Sequence, residues 1–86
     1  MALTDDFQKA QERVKTLTTR PSNDTLLELY SLFKQATEGD AQGKRPGLLD
    51  LKGRAKYDAW AGRKGLGRDA AMQQYIQLVD RLLKGG

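Results

Sequence analysis

The sequence has 86 residues, of which 30% are charged and 38% hydrophobic, and its formal net charge is +4. This length corresponds to one domain, residues 1–86, whose small core leaves room for a groove or shallow cavity as the ligand site. Cysteine and histidine are both missing, which excludes disulfides, thiolate nucleophiles and sulfur-ligated zinc and removes the side chain most often used for proton transfer. The composition therefore favours a binding protein over an enzyme.

The start of the chain does not resemble an export or membrane sequence. The segment MALTDDFQKA lacks a basic region followed by an apolar run, and no apolar stretch approaches the roughly 18 residues of a transmembrane helix. We expect a cytoplasmic protein without stable membrane insertion. The small net positive charge favours anionic partners such as phosphates. We expect this charge to be spread along the chain.

The first predicted helix begins with Thr4 as its N-cap and ends near Leu17. Asp5 and Asp6 in its first turn would complement the exposed backbone amides. Its apolar stripe consists of Phe7, Ala10, Val14 and Leu17.

The second predicted helix begins at a cap provided by Ser22 or Asn23 and stops at Gly39. Pro21 disfavours helical backbone just before it, and Asp24 falls in its first turn. Its inward face is predicted to carry Leu26, Leu29, Tyr30, Phe33 and Ala36, with Leu27 beside them.

A connection of about a dozen residues follows, and it contains glycines and Pro46 without helical periodicity. Loops of this length inside a compact domain are often functional. Asp50 is predicted to cap a third helix that ends before the segment RKGLG. The candidates for burial on this helix are Ala55, Ala59 and Trp60.

The fourth predicted helix is the longest. Its apolar stripe consists of Ala71, Tyr75, Leu78 and Leu82, widened by Met72, Ile76, Val79 and Leu83. Strand alternation and internal repeats are not found in the sequence. The predicted fold class is therefore all-α, with four helices.

Lysines stand beside aromatic residues in two of the predicted helices. In helical geometry Tyr30, Phe33 and Lys34 fall within an arc of about 100°, so the two rings and the ammonium should point the same way. An aromatic face can stack on a purine while ammonium groups neutralise phosphate, so both clusters suit a nucleotide-like ligand. Taken alone, the pattern fits core aromatics with solvated lysines better, and Phe7 and Trp60 are interpreted as core residues. The clusters are Tyr30, Phe33 and Lys34 on the second helix, and Lys52, Lys56, Tyr57 and Trp60 on the third.

These residues occur in an order that resembles the acyl-coenzyme A-binding protein family. The segments that carry the resemblance are PSNDTLLELYSLFKQATEGD, RPGLLDLKGRAKYDAW and AAMQQYIQLVD, and they extend over nearly the whole chain. The resemblance implies a four-helix bundle whose bowl-shaped groove takes up long-chain acyl-CoA. The nucleotide head would lie at the rim, and the acyl chain would be shielded inside.

The resemblance also implies a set of ligand-binding residues. Tyr30, Lys34 and Lys56 would meet the ribose 3′-phosphate, and Phe33 would stack on adenine. The family commonly has tyrosine at the position of Phe33, so stacking should persist while a hydrogen bond through the hydroxyl is lost. The full set is Lys15, Tyr30, Phe33, Lys34, Lys52, Lys56 and Tyr75, with Ala10 and Leu27 as further groove-lining positions.

The implied function is an intracellular acyl-CoA carrier and buffer. We expect a monomer that delivers its ligand transiently to acyl-CoA-using enzymes, with no cofactor, metal, catalytic residue or nucleic-acid partner. Two other classes remain open: a small nucleic-acid binder, suggested by a pI near 9.6 but weakened by interspersed acidic residues, and a module whose groove takes a partner helix.

Overall fold

The structure is a computed structural model that describes residues 2–85, and four α-helices with one short 3-10 turn make up its regular elements. No strand occurs within this range, so the predicted all-α fold class with four helices is confirmed. The helices are α1 (Leu3–Arg13), α2 (Asn23–Glu38), α3 (Leu51–Ala61) and α4 (Arg68–Leu83), and the 3-10 turn Val14–Thr16 follows α1 directly.

The second helix is the centre of the packing. One side of α2 lies against α4, which in turn packs on α1, while α3 lies against the other side of α2. The molecule measures 38 × 28 × 16 Å along its principal axes, so it is thin in one direction. Because an α-helix with its side chains is about 10 Å across, space for a ligand must open to the surface.

The main core lies between α1, α2 and α4. The predicted burial of Phe7 in this core and of Trp60 on α3 is confirmed, whereas Ala55 and Ala59 are only partly buried. The Trp60 indole Nε1 donates a hydrogen bond of 2.8 Å to the Gly39 carbonyl, which satisfies its polar atom. The buried core residues are Phe7, Ala10, Leu29, Leu32, Ala36, Ala71, Tyr75, Leu78 and Val79.

Two of the predicted caps are confirmed. The Ser22 hydroxyl accepts a 3.2 Å hydrogen bond from the Thr25 amide at the start of α2. The Asp50 carboxylate accepts a 2.9 Å hydrogen bond from the Gly53 amide at the start of α3. Each cap satisfies one of the amides that a helix start leaves unpaired, and together they fix the two helices that carry the lysine–aromatic clusters.

The predicted ends of the first helix are wrong. Thr4 lies inside α1, which begins after Ala2 without a side-chain cap, because the Ala2 carbonyl already accepts from the amides of Asp5 and Asp6. The α-helix also ends at Arg13, since the next residues tighten into the 3-10 turn. At the other end of the chain, α4 begins at Arg68, before the apolar stripe starts.

Two buried polar residues on α2 connect it to the segment between α3 and α4. Gln35 donates from Nε2 to the Leu66 carbonyl and to Asp40 Oδ1, both at 2.8 Å. The Ser31 hydroxyl donates to the Glu28 carbonyl at 2.9 Å and accepts from Arg63 Nε at 3.0 Å. These bonds set the position of α3 relative to α2.

Candidate functional site

An open groove of about 770 Å³ lies between the first half of α2 and the first half of α3. Its apolar wall comes from leucine and alanine side chains of both helices, and its polar rim is basic. The lining residues are Arg20, Asn23, Leu26, Leu27, Tyr30, Leu51, Lys52, Ala55 and Lys56. Of the residues predicted from the sequence, the groove therefore brings together Leu27, Tyr30, Lys52 and Lys56.

The two sides of the groove meet at Tyr30 and Lys56. The Lys56 ammonium lies 5.4 Å from the centroid of the Tyr30 ring, within the range of a cation–π contact. Lys52 is one helical turn before Lys56 and borders the same groove. None of the ion pairs within residues 2–85 involves either lysine, so both ammonium groups are available to an anion.

Five further lining residues were not predicted as site residues from the sequence: Arg20, Asn23, Leu26, Leu51 and Ala55. Arg20 donates from Nη1 to Asn23 Oδ1 at 3.3 Å and adds a third positive charge to the rim. Its position just before Pro21 and the start of α2 could have indicated that it lies beside the first turn of that helix. Leu51 is the first residue of α3, where the Asp50 cap was recognised but the apolar residue after it was not considered.

Lys34 lies outside the lining of this groove, near the end of α2. Its ammonium forms an ion pair with Glu38 and lies 4.8 Å from the centroid of the Trp60 ring. Tyr30 and Lys34 are one turn apart, and both point toward α3, since their partners Lys56 and Trp60 belong to that helix. The predicted common face is therefore confirmed for Tyr30 and Lys34, although the Lys34 ammonium is paired with Glu38.

Phe33 points in a different direction, toward α1, so the prediction that its ring points the same way as Tyr30 and Lys34 is wrong, because Phe33 lies at the edge of their common arc and packs on Phe7. Its ring stacks on Phe7 with centroids 6.1 Å apart, and Phe7 in turn meets Tyr75 edge to face at 5.1 Å. Burial raises the pKa of the Tyr75 phenol, because the charged form is disfavoured away from water. Ala10 lies in the same core cluster, so Ala10, Phe33 and Tyr75 are not among the residues that line the α2–α3 groove.

Lys15 is exposed on the 3-10 turn after α1 and likewise does not line the groove. The groove thus unites one part of the predicted residue set. The remaining residues lie in three places: Ala10, Phe33 and Tyr75 in the core cluster of α1, α2 and α4, Lys15 on the exposed turn after α1, and Lys34 against Glu38 and Trp60.

The long connection between α2 and α3 is held against α3. Arg45 binds Asp58 with two hydrogen bonds, Nε to Oδ1 at 2.9 Å and Nη2 to Oδ2 at 2.7 Å. This contact lowers the pKa of Asp58 and raises that of Arg45, since hydrogen bonding to the charged partner favours both charged forms. The Tyr57 hydroxyl donates to the Gly43 carbonyl at 3.0 Å and fixes the same connection.

This arrangement suits the binding of an amphipathic anion. An apolar wall next to three basic side chains can bind an apolar chain and a phosphate at once. Within residues 2–85, no group of His, Cys, Asp and Glu side chains is arranged to hold a metal ion. The helices described in that range are also too short or too polar to cross a bilayer.

Comparison with known proteins agrees with the geometry. Residues 4–79 match the family model described as acyl CoA binding protein. The chain is 52% identical over 81 residues to the acyl-CoA-binding protein homolog of Drosophila melanogaster and to acyl-CoA-binding protein homolog 1 of Caenorhabditis elegans, covering 94% of this chain and 94% of each relative. The crystal structure of Oryza sativa acyl-CoA-binding protein 2 superposes with a TM-score of 0.92 at 42% identity, covering 96% of this chain and 90% of the rice chain. The chain therefore belongs to the acyl-CoA-binding protein family.

Proposed function

We propose that the chain binds long-chain fatty acyl-CoA esters without covalent chemistry and acts as an intracellular, monomeric carrier and buffer. The observation that carries this proposal is the α2–α3 groove, in which an apolar wall and a basic rim lie within one open space. Membership of the acyl-CoA-binding protein family supports acyl-CoA as the ligand class. Delivery to acyl-CoA-using enzymes by transient contact completes the proposal.

The two ends of the ligand would use different parts of the groove. Leu26, Leu27 and Ala55 offer apolar surface to the acyl chain, and each methylene that leaves water contributes about 0.8 kcal/mol before ordering costs. Lys52 and Lys56 offer charge-assisted hydrogen bonds to phosphate.

The remaining proposed contacts require the ligand to extend past the groove. Phe33 would offer its partly exposed face to adenine, and Lys34 would exchange its Glu38 partner for a phosphate. Lys15 would meet the ligand beside α1. Ala10 and Tyr75 are buried in the core cluster, so their proposed contacts require that cluster to open to the ligand.

Several observations support binding without hydrolysis. A thioester needs a nucleophile or an activated water to break, and the chain has neither Cys nor His. The hydroxyl of Ser22 is occupied by its cap, and that of Ser31 is buried between the Glu28 carbonyl and Arg63. Neither hydroxyl has a general base beside it, so the ligand would be carried intact.

Titration calorimetry with palmitoyl-CoA, CoA, palmitate and a short oligonucleotide tests the proposal. Palmitoyl-CoA should bind much more tightly than CoA or palmitate alone, because only the ester uses both the apolar wall and the basic rim. The oligonucleotide should not compete. Equal affinity for palmitate and palmitoyl-CoA would contradict the role of the rim, and preferential binding of the oligonucleotide would support the nucleic-acid alternative.

A further inference from the structure

Three leucines at and just before the start of α3 are exposed to solvent. The exposed fractions are 79% for Leu48, 100% for Leu49 and 75% for Leu51, and these are the exposed large hydrophobic residues within residues 2–85. Leu51 borders the α2–α3 groove, but Leu48 and Leu49 do not. A ligand in the groove would therefore not cover Leu48 and Leu49.

Leu48 and Leu49 occupy the tip of a tight turn. The Asp50 amide donates to the Gly47 carbonyl at 3.0 Å, which places the two leucines at the central positions of a four-residue β-turn. Such positions are usually taken by Gly, Pro, Asn, Asp or Ser. Two adjacent leucines there cost solubility without contributing to the core.

The turn is held in place by the contacts of the connection with α3. The paired hydrogen bonds between Arg45 and Asp58 lie just before it, and the Asp50 cap lies just after it. These contacts hold the backbone on both sides of the turn, so they keep the two leucines away from the core.

Positive charge is concentrated around the same turn. Residues 44–56 contain five basic residues and one acidic residue, so their net charge of +4 equals that of the whole chain. The expectation of a charge excess spread along the chain is therefore wrong. Lys44 and Lys52, on either side of the leucines, are exposed and take part in none of the ion pairs described for residues 2–85.

We propose that this leucine turn, defined as Leu48, Leu49 and Leu51 with the flanking Lys44 and Lys52, is a docking surface for an anionic lipid bilayer. The leucines enter the headgroup region of the leaflet, and the lysines meet lipid phosphates and carboxylates. The binding is peripheral and reversible, since three leucines bury far less apolar area than a spanning helix.

Charge complementarity favours this occupant over a second copy of the chain. Two copies that met symmetrically at the leucine turn would bring two +4 segments together, and like charges at close range are repulsive. An anionic leaflet offers the opposite charge and an apolar interior in the same place. Because Leu51 and Lys52 also border the groove, docking brings the groove to the membrane surface.

Co-sedimentation with vesicles free of acyl-CoA tests the docking surface independently of the proposed function. The native chain should bind mixed phosphatidylserine–phosphatidylcholine vesicles and show little binding to phosphatidylcholine alone. The double variant Leu48→Ser/Leu49→Ser should lose at least about tenfold in vesicle affinity. It should keep its affinity for palmitoyl-CoA and its melting temperature, because neither side chain lines the groove or the core.

A matched pair of lysine variants tests the electrostatic part. Lys44→Gln should weaken vesicle binding, whereas Lys9→Gln, at an exposed position on α1, should not. Since the chain has no cysteine, Leu49→Cys carrying an environment-sensitive dye gives a direct readout. Its emission should shift to the blue with anionic vesicles, and dye on Lys9→Cys should not respond.

Three results would overturn the proposal. One is that the native chain fails to bind anionic vesicles. Another is that the double leucine variant binds them as tightly as the native chain does. The third is that the native chain sediments as a dimer that the double variant converts to a monomer, which would make the leucine turn a contact between copies.

Discussion

The position of Lys56 beside the Tyr30 ring gives the clearest test of the proposed phosphate site. An exposed lysine without a ligand changes stability by no more than about 0.5 kcal/mol when it is replaced, whereas a charge-assisted contact contributes roughly 1.5–3 kcal/mol to binding. Lys56→Ala should therefore weaken acyl-CoA binding by about tenfold or more and leave the melting temperature nearly unchanged. Lys9→Ala, on the exposed face of α1, is the matched control and should change neither.

Acyl-dephospho-CoA, which lacks the 3′-phosphate, shows whether Lys56 acts on that group. The native chain should bind it more weakly than acyl-CoA, and the Lys56→Ala variant should barely distinguish the two ligands. A variant that discriminated as strongly as the native chain would rule out Lys56 as a ligand of the 3′-phosphate.

Phe33 combines a structural contact with a proposed ligand contact. Because its ring stacks on Phe7 and is only partly buried, Phe33→Ala should lower both the melting temperature and acyl-CoA affinity, the latter by ~1–3 kcal/mol. Phe33→Tyr keeps the ring and should match or exceed the native affinity. Calorimetry well below the melting temperature separates the two effects, and unchanged affinity in the alanine variant would assign Phe33 to the core alone.

The sequence predicts on which face of a helix a site residue lies better than it predicts which side chain pairs with that residue. Periodicity placed Tyr30, Phe33 and Lys34 on one face of α2, and the structure agrees for Tyr30 and Lys34 but turns the Phe33 ring toward α1. It could not predict that Glu38 pairs with Lys34, because a helical i, i+4 ion pair and a free lysine look alike in sequence. It also missed Gln35 as a buried residue, since a polar side chain is assigned to the surface unless its hydrogen-bond partners are known.

At the level of the helices and their connections, Asp40 joins three parts of the fold. Its Oδ1 accepts from the Gln35 side chain on α2 and from the Gly65 amide ahead of α4. The hydrogen bond from the Gly65 amide, and to a smaller extent the one from the Gln35 side chain, lowers the pKa of Asp40. A carboxyl with a lowered pKa in the folded state stabilises the fold above its unfolded pKa, and this stabilisation is lost as the pH falls through the folded value.

Asp40→Asn should therefore be less stable than the native chain at neutral pH. The difference between the two should shrink as the pH falls below the usual range of an aspartate carboxyl. Urea unfolding followed by circular dichroism across that range measures the effect, with Glu12→Gln, an exposed residue on α1, as the control. If the stability difference between Asp40→Asn and the native chain stayed constant with pH, the negative charge of Asp40 would not be what stabilises the contact between α2 and the segment before α4.

The helix boundaries were predictable where a side chain makes the cap. Ser22 and Asp50 both accept the expected amide, and α2 and α3 begin where the sequence predicts. The start of α1 could not be predicted in this way, because the backbone carbonyl of Ala2 accepts the first helical amides in place of the expected threonine cap. The leucine turn was also not recognised as exposed, since an apolar pair before a helix usually packs beneath it.

On the scale of the whole molecule, stability is distributed unevenly between the helices. Within residues 2–85, α3 packs against α2 alone among the helices, and Trp60 is its only buried residue, whereas α4 packs on both α1 and α2. Elements with few buried apolar contacts open at lower free energy than the core does. We therefore expect α3 to exchange its amide hydrogens faster than α4 in the absence of ligand.

Acyl-CoA should protect α3 more than any other helix, because the groove is formed between α2 and α3 and its ligand would join them. At a ligand concentration about a hundred times the dissociation constant, binding stabilises the folded state by roughly 2.7 kcal/mol. The population in which α3 is open should therefore fall by up to about a hundredfold. Hydrogen exchange measured by mass spectrometry with palmitoyl-CoA should show this protection, and the Lys56→Ala variant should show less of it at equal ligand concentration. If α1 gained clearly more protection than α3, the acyl-CoA would be held mainly on the side of the aromatic cluster of Phe7, Phe33 and Tyr75, and the α2–α3 groove would not be the principal site.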